Sequence, residues 1–499
     1  ERITDRDIRI RLRASQQNTS VLPLDSCYAI EHDYMDTSFR SMYLGLSAFL
    51  SANKDRRDLL LSQREPDFDT SFDARIAAAS DDFSRITLKA QAARDYFLLI
   101  GPPGTGKTSR ALRGMVEAFY REGKQILLLS YTNRAVDEIC KTLSVITPEI
   151  DFIRIGSELS CDPSFRSRLI ENVLEACSTR REVHACIEGC RVFVGTVATF
   201  SSKTDMFRLK TFDVAIVDEA TQILEPQLLG LLCARNVAGN NTIGKFILIG
   251  DHKQLPAVVL QSESQSEVCE ECLQSIGLYN LKDSLFERLY RTVSANHSSP
   301  TTQRFYDMLC RQGRMNVEVA RFPNHAFYGG LLEAVGLPHQ QGELVLAPGL
   351  ESDEFADVLV SRVAFLPSVP ETPLQSAKIN HSEAQLTARL AAAVYRQYEA
   401  SGSGFHSALT LGVITPYRSQ IALIKREIAA LGIPVLNDIL VDTVERFQGS
   451  ERDVIIYSFC VNRTYQLKFL ANLTEERGVW INRKLNVALT RARKQLFMT

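Results

Sequence analysis

The chain has 499 residues, 45% of them hydrophobic, and a formal net charge of −2. That is the composition of a folded globular protein of about two to four domains. It excludes a globally basic nucleic-acid binder, so any such contact must come from local patches or grooves. No apolar run approaches the ~20 residues a membrane span needs, and no membrane partner is expected. No secretory signal opens the chain, and its 11 scattered cysteines argue for a reducing, intracellular compartment, cytoplasm or nucleus. Beginning at Glu1 and stopping at Phe497-Met498-Thr499, the chain reads as a fragment of a longer protein.

In chain order, Arg6 to Arg13 alternates apolar and basic residues. Period two implies a strand with one basic face, either a solvated edge or a β module touching a nucleic-acid backbone. Ser38 to Gln63 reads as one long helix, followed by a polar connector up to about Phe83. From Asp95 strands and helices alternate, which implies parallel sheets. Tyr96 to Ile100 is a buried strand, and Ser109 to Tyr120 a helix. Between them lies Gly101-Pro102-Pro103-Gly104-Thr105-Gly106-Lys107-Thr108, the full pattern of a phosphate-binding loop in its required context. Its glycines let backbone N–H groups converge on an anion, and the helix N-terminus adds its positive end. Lys107 would reach the β- and γ-phosphates, and the Thr108 hydroxyl would ligate Mg²⁺.

Ile126 to Ser130 is a second buried strand, with Tyr131-Thr132-Asn133-Arg134 at its carboxyl end, where open α/β sheets bind ligands. A charged, helical insert, about 156–189, interrupts the rhythm. Its Cys161, Cys177, His184, Cys186 and Cys190 match no standard zinc spacing, so buried thiols are expected there, with a zinc site as the alternative. Val214 to Ala220 is a strand ending in Asp218 and Glu219. Two acids at that place suit metal-assisted hydrolysis: Asp218 holding Mg²⁺ through water, Glu219 activating the attacking water. Another strand, Lys245 to Asp251, leads to Gln254, placed to meet the γ-phosphate or that water.

Val259 to Asn280 and Thr292 to Thr302 read as surface loops. A second α/β unit follows, with helices through Leu386, Leu390 and Val394 and through Ile421, Ile424, Ile428 and Leu431. Its strands are Leu409 to Thr415 and Val454 to Ser458, and Asn482 to Arg493 reads as a basic helix. This half has no phosphate loop. It would instead supply arginines to the equatorial oxygens of a phosphoryl group in transfer, worth ~10³–10⁵ in rate. Arg314 and Arg491 are the candidates.

Taken together, these residues resemble the superfamily 1 helicases, in particular the 5′-to-3′ branch containing the nonsense-mediated decay helicase and the Okazaki-fragment nuclease-helicase. The resemblance runs from about Asp95 to Thr499. Gly101 to Thr108 is similar to motif I, Val217 to Ala220 to motif II and Gly250 to Pro256 to motif III. Ser284 to Leu289 resembles the "SLFERL" stretch, and Phe322 to Leu331 the "FPS…FY-x-G-x-L" run. Asn380 to Ala384, Gly412 to Tyr417, Val441 to Asp453 and Asn486 to Arg493 match later motifs in family order.

The resemblance implies two tandem RecA-like P-loop NTPase domains with parallel sheets, about 86–300 and 301–499, plus a small N-terminal accessory module, 1–85. It implies a helicase or translocase hydrolysing ATP with Mg²⁺ on single-stranded DNA or RNA. Arg314 and Arg491 would contact the γ-phosphate. Gln312, Gly449 and Glu451 would bind the nucleotide, Glu451 at the ribose. Asn133, Thr196 and Thr415 would line the nucleic-acid track. A nuclease or other domain beyond either end stays open, as does a non-enzymatic nucleic-acid-binding module with a decayed ATPase. The family's base-stacking tyrosine is replaced by Gly313, Lys484 stands where a second arginine is usual, and Gln91 is the nearest candidate for the adenine-reading glutamine.

Overall fold

The computed structural model describes residues 2–3, 8–9, 37–259, 261–295, 302–370, 376–476 and 478–499. Two compact units separate at Arg40. In the first, Arg2–Ile3 (β1) pairs antiparallel with Ile8–Arg9 (β2). The rest of the basic strand expected over Arg6 to Arg13 lies outside the described residues, as does most of the loop expected over Thr292 to Thr302.

The second unit, Ser41–Thr499, holds two parallel sheets. The first has seven strands: Tyr96–Ile100 (β3), Ile126–Ser130 (β4), Phe152–Ile155 (β5), Val192–Thr196 (β6), Phe212–Val217 (β7), Ile243–Gly250 (β8) and Tyr306–Met308 (β9). Their spatial order is β5-β6-β4-β7-β8-β3-β9. β3 is buried throughout, as a strand covered on both faces must be. Its alternation sorts it between two cores: Tyr96, Leu98 and Ile100 enter one, Phe97 and Leu99 the other. Because every pair is parallel, all carboxyl ends gather at one edge, where such sheets bind ligands.

Arg311–Gln312 (β10) pairs parallel with Glu333–Ala334 (β11) in a separate two-stranded sheet. The second large sheet contains Val363–Phe365 (β12), Leu411–Ile414 (β13), Leu440–Asp442 (β14), Arg452–Tyr457 (β15) and Ala492–Met498 (β18), ordered β12-β18-β15-β13-β14. Leu473–Glu476 (β16) and Val479–Asn482 (β17) form a separate antiparallel hairpin. Leu411 and Val413 face one core, Ile414, Ile455 and Tyr457 another. Leu255, from the loop after β8, is buried in that last core beside Met315 and Val319.

Several expectations are corrected. The helix expected over Ser38 to Gln63 is two helices, Thr37–Ser51 and Lys54–Leu60, because Asn53 turns extended between them. Buried Arg56 ties the second to the sheet, donating to the carbonyls of Ile243 at 2.7 Å and Gly244 at 2.8 Å. Leu59 and Leu60 join the first core, so residues 54–60 belong to that domain and not to an accessory module. The chain returns at Tyr306–Met308 to edge the first sheet against β3, past the boundary expected at 300. The insert carries short helices, including Ile170–Leu174 and Arg180–Gly189. Val259 to Asn280 is not all loop but holds the one-turn helices Glu263–Ser266 and Glu271–Gln274. The basic helix expected up to Arg493 ends at Leu489, and Arg491 lies in the turn before β18. Pairing of β18 with β15 outweighs the helix propensity of Arg, Ala and Lys there.

Candidate nucleotide cleft

Gly104 and Gly106 adopt φ of +74° and +80°, which side chains resist and glycine accepts. A Cβ on Gly104 would stand 2.3 Å from the Arg314 Cβ, and one on Gly101 2.7 Å from the Lys107 Cβ. At Gly101 and Gly104 the loop therefore has no room for a side chain and presents bare backbone. Its Lys107 donates from Nζ to Glu219 Oε1 at 2.6 Å, and the Thr108 hydroxyl donates to Asp218 Oδ2 at 2.5 Å.

Glu219 has φ +55°, a left-handed conformation that costs a non-glycine residue roughly 1–3 kcal/mol. The Asp218 carboxylate accepts its N–H at 2.9 Å, and Gln222 Nε2 donates to its Oε2 at 3.0 Å. That backbone turns the carboxylate toward Lys107. Burial opposes ionisation of all three groups, and for two of them the partners decide the balance. The acids raise Lys107 above its ordinary range, and Lys107 holds Glu219 below its own. Asp218, where burial dominates, is raised. A hydroxyl and a carboxylate are hard oxygen donors, the set Mg²⁺ prefers.

The second domain closes the cleft. Gly313 donates its N–H to the Gly104 carbonyl at 2.9 Å. Arg314 donates from Nε to Glu451 Oε2 at 2.6 Å and from Nη1 to the Thr490 carbonyl at 3.3 Å. Arg491 is buried and donates to the carbonyls of Val487 and Ser450 and to Gln254 Oε1, the last at 3.2 Å. Burial, then the neighbouring Arg314, pushes its guanidinium down to about 9. A buried cation so penalised calls for an anion. The cradle, the oxygen donors and the two arginines together fit a nucleotide triphosphate with a divalent cation.

A family profile described as an AAA domain matches residues 281–499, and a second with the same description matches 79–183 and 166–262. The chain is 28% identical to the DNA replication ATP-dependent helicase/nuclease DNA2 of Bos taurus, over 97% of this chain and 44% of that protein. It is likewise 28% identical to the DNA replication ATP-dependent helicase/nuclease JHS1 of Arabidopsis thaliana, over 98% of this chain and 34% of that one. The chain belongs to the superfamily 1, DNA2/NAM7-like helicase family. It spans less than half the length of these relatives. A solved arterivirus nonstructural protein 10 (helicase) in complex with DNA is 13% identical, with a TM-score of 0.39 over 83% of this chain and 62% of that one.

In this superfamily 1 member, the phosphate loop, Asp218, Glu219, Gln254, Arg314, Arg491 and Glu451 converge at the cleft. Gln312 is a different matter. Its Oε1 accepts the N–H groups of Arg314 and Met315, and its Nε2 donates to the Met315 carbonyl. These bonds use both acceptor positions of the oxygen and one of the two amide hydrogens within its own turn. Gln91 is half-buried and donates to Glu122. Gly449, at φ +76°, allows the turn ahead of Glu451.

Asn133 begins a helix after β4. Thr196, at the end of β6 and four places from β3 in the sheet, is buried and caps the helix Val197–Ser202 with its hydroxyl. Thr415 is fully buried, and its hydroxyl finds no partner. These last two therefore show little side chain at the surface. In the insert, Cys161 and Cys190 are buried and Cys177 and Cys186 half-buried. Among the described residues, no cluster of three or more His, Cys, Asp or Glu is placed to hold a metal ion, and no helix is long and apolar enough to cross a membrane.

The sequence reading overlooked several residues that knit the two halves together. Glu287 and Arg483 form a buried ion pair between them. Glu476 of the hairpin meets His252 Nε2 at 3.2 Å and Lys253 Nζ at 3.5 Å. Tyr328 and Asn486 meet at 2.9 Å next to Asp251. Tyr328 and Glu287 lie inside recognised motifs, but no spacing in a sequence announces a partner some two hundred residues away.

Proposed function

We propose that this chain is an ATP-dependent helicase or translocase on single-stranded nucleic acid, hydrolysing ATP between its two α/β domains. The observation that carries the reading is the convergence of Lys107, Asp218 and Glu219 from one domain with Arg314 and Arg491 from the other. Thr108 and Asp218 would hold Mg²⁺, which neutralises phosphate charge when bound. Lys107 would leave Glu219 for the β- and γ-phosphate oxygens. Relieved of the cation that depresses it, Glu219 regains basicity and takes the proton of the attacking water. Gln254 orients that water.

Arg314 and Arg491 would oppose charge on the γ-phosphoryl oxygens, with Glu451 released from Arg314 toward the ribose. Both arginines come from the second domain, so hydrolysis requires the cleft to shut, and opening and shutting would ratchet the domains along a strand. The strand would cross the carboxyl edges of both sheets, past Asn133, Thr196 and Thr415. Such backbone-tracking contacts imply weak sequence preference and strong salt dependence. The free cysteines among the described residues agree with a reducing, intracellular place.

The test is phosphate release without nucleic acid, with single-stranded DNA and with single-stranded RNA, for the parent and for Lys107→Ala. Stimulation by one polymer and its loss in Lys107→Ala are expected. Parental turnover by a folded Lys107→Ala protein would remove the active site from this cleft. An unstimulated, Lys107-independent parent would favour a binding module without ATPase activity.

A further inference from the structure

Gln254 has one amide, and the structure occupies both ends of it. Nε2 donates to Asp251 Oδ2 at 2.8 Å, and Oε1 accepts from Arg491 Nη2 at 3.2 Å. A carboxylate only accepts and a guanidinium only donates, so the amide has one workable orientation. The Asp251 carboxylate is itself held. Its Oδ1 accepts the Lys253 N–H at 3.0 Å, and its Oδ2 accepts the Tyr328 hydroxyl at 2.7 Å. The Tyr328 oxygen accepts from Asn486 Nδ2 at 2.9 Å, and the same nitrogen donates to the Lys253 carbonyl at 2.7 Å. All five side chains in this chain of bonds are buried.

The members divide between the domains. Asp251 and Gln254 follow β8 in the first. Tyr328 ends the helix Val317–Tyr328, and Asn486 lies on the helix Arg483–Leu489 of the second. Tyr328 and Asn486 touch neither the phosphate loop nor the acids at the end of β7, so the hydrolytic scheme leaves them without a part. Burial and then the Asp251 charge keep the Tyr328 phenol well above its ordinary range, so it stays a donor.

We propose that Tyr328 and Asn486 are positioning residues: through Asp251 they hold the Gln254 carbonyl oxygen toward Arg491 and the attacking water, and only while the two domains are in contact. When the second domain withdraws, it takes the Tyr328 hydroxyl and Arg491 with it: the Gln254 oxygen loses its donor, and Asp251, which stays with Gln254 in the first domain, loses the bond that fixes its Oδ2. Gln254 is thereby aligned in the closed cleft alone, which ties the water's alignment to the same motion that delivers the arginines. This inference rests on the ATP-hydrolysis reading of the cleft.

The experiment uses the full chain with single-stranded DNA or RNA, whichever stimulates more. Turnover and KM for ATP, affinity for a fluorescent nucleotide, and melting temperature are measured for the parent, Tyr328→Phe, Asn486→Ala, Gln254→Ala and Tyr328→Phe/Gln254→Ala, with Lys107→Ala as control. Tyr328→Phe removes one oxygen and keeps the packing. Its kcat should fall about tenfold with nucleotide affinity nearly unchanged, a split that a merely structural role would not produce. The double variant should be no slower than Gln254→Ala alone, because the tyrosine acts through that amide. Should Tyr328→Phe fold poorly, Asn486→Ala is expected to show the same split. Parental kcat in the folded variants, or losses that multiply in the double variant, would overturn the positioning role while leaving the cleft assignment intact. Undiminished turnover in Lys107→Ala would overturn both.

Discussion

Arg491 donates from Nη2 to Gln254 Oε1 across 3.2 Å, joining the turn before β18 to the loop after β8. The contact places a buried guanidinium against the residue best placed to align a water. Burial holds that guanidinium down to about 9, so its charge is costly until phosphate oxygens face it. A lysine would offer a point charge in place of a planar fork. Arg491→Lys should therefore cut turnover by ~10²-fold or more with nucleotide affinity changed only modestly. Phosphate release and fluorescent-nucleotide titration, with nucleic acid present, measure the two. Near-parental turnover would take Arg491 out of the transition state, and lost affinity with normal turnover at saturation would make it a ground-state clamp.

Gly104 lies beneath Arg314 with φ +74°, and its added Cβ would sit 2.3 Å from the Arg314 Cβ. Backbone strain and steric overlap coincide there, and the second atom belongs to the opposite domain. Gly104→Ala is expected to lower stability by about 1 kcal/mol or more and to reduce hydrolysis further by holding the cleft ajar. Thermal unfolding and ATPase rate check it. A variant as stable and active as the parent would mean the Gly313–Gly104 contact is not needed for closure.

Gly313 leaves the nucleotide base without a ring to stack on. A Cβ there would stand 3.4 Å from Leu337 Cδ1 and 3.9 Å from Val335 Cγ2, ordinary van der Waals contacts. Stacking is worth roughly 1–3 kcal/mol per base and favours the larger purine faces. Gly313→Tyr should therefore raise the preference for ATP over CTP, read as the ratio of kcat/KM values, by severalfold. An unchanged ratio, or a parent that already rejects CTP, would show that the base is read elsewhere.

Glu476 fastens the β16–β17 hairpin to the loop that carries Gln254. Burial alone would raise its carboxyl, but the bond to His252, the His252 charge and Lys253 together lower it from 4.5 to about 2. The folded carboxyl thus binds its proton more weakly than the unfolded one. Its stabilisation is complete above about 4.5 and is lost as pH falls from there toward 2. Melting temperature followed from neutral to acid pH should fall more steeply for the parent than for Glu476→Gln, the curves converging in acid. Parallel curves would mean the carboxylate contributes nothing to the docked hairpin.

Much of the site was legible because its signals are local. The loop from Gly101 to Thr108 needs glycines at φ values only glycine takes readily, and Asp218-Glu219 needs a buried strand just before it. Those demands fall within a few residues of sequence. Arg491 was legible as a residue but not as a position: the expected helix gives way at Leu489 because the following residues pair with Arg452 to Tyr457. The three bonds that Gln312 makes within its own turn were not legible, because they depend on how the backbone folds back there.

By itself, then, the sequence determined the parallel α/β architecture, the phosphate cradle, the acids and the likeness to superfamily 1 helicases, since periodicity and short motifs depend on near neighbours. Tertiary structure alone decided what those residues face. It put Tyr306–Met308 in the first sheet, drew residues 54–60 into the first core, paired Arg314 with Glu451, and linked Asn486 through Tyr328 and Asp251 to Gln254. The physical reason is that most buried polar atoms find a partner wherever the folded chain supplies one, and that partner's distance along the sequence leaves no trace in either residue's neighbours.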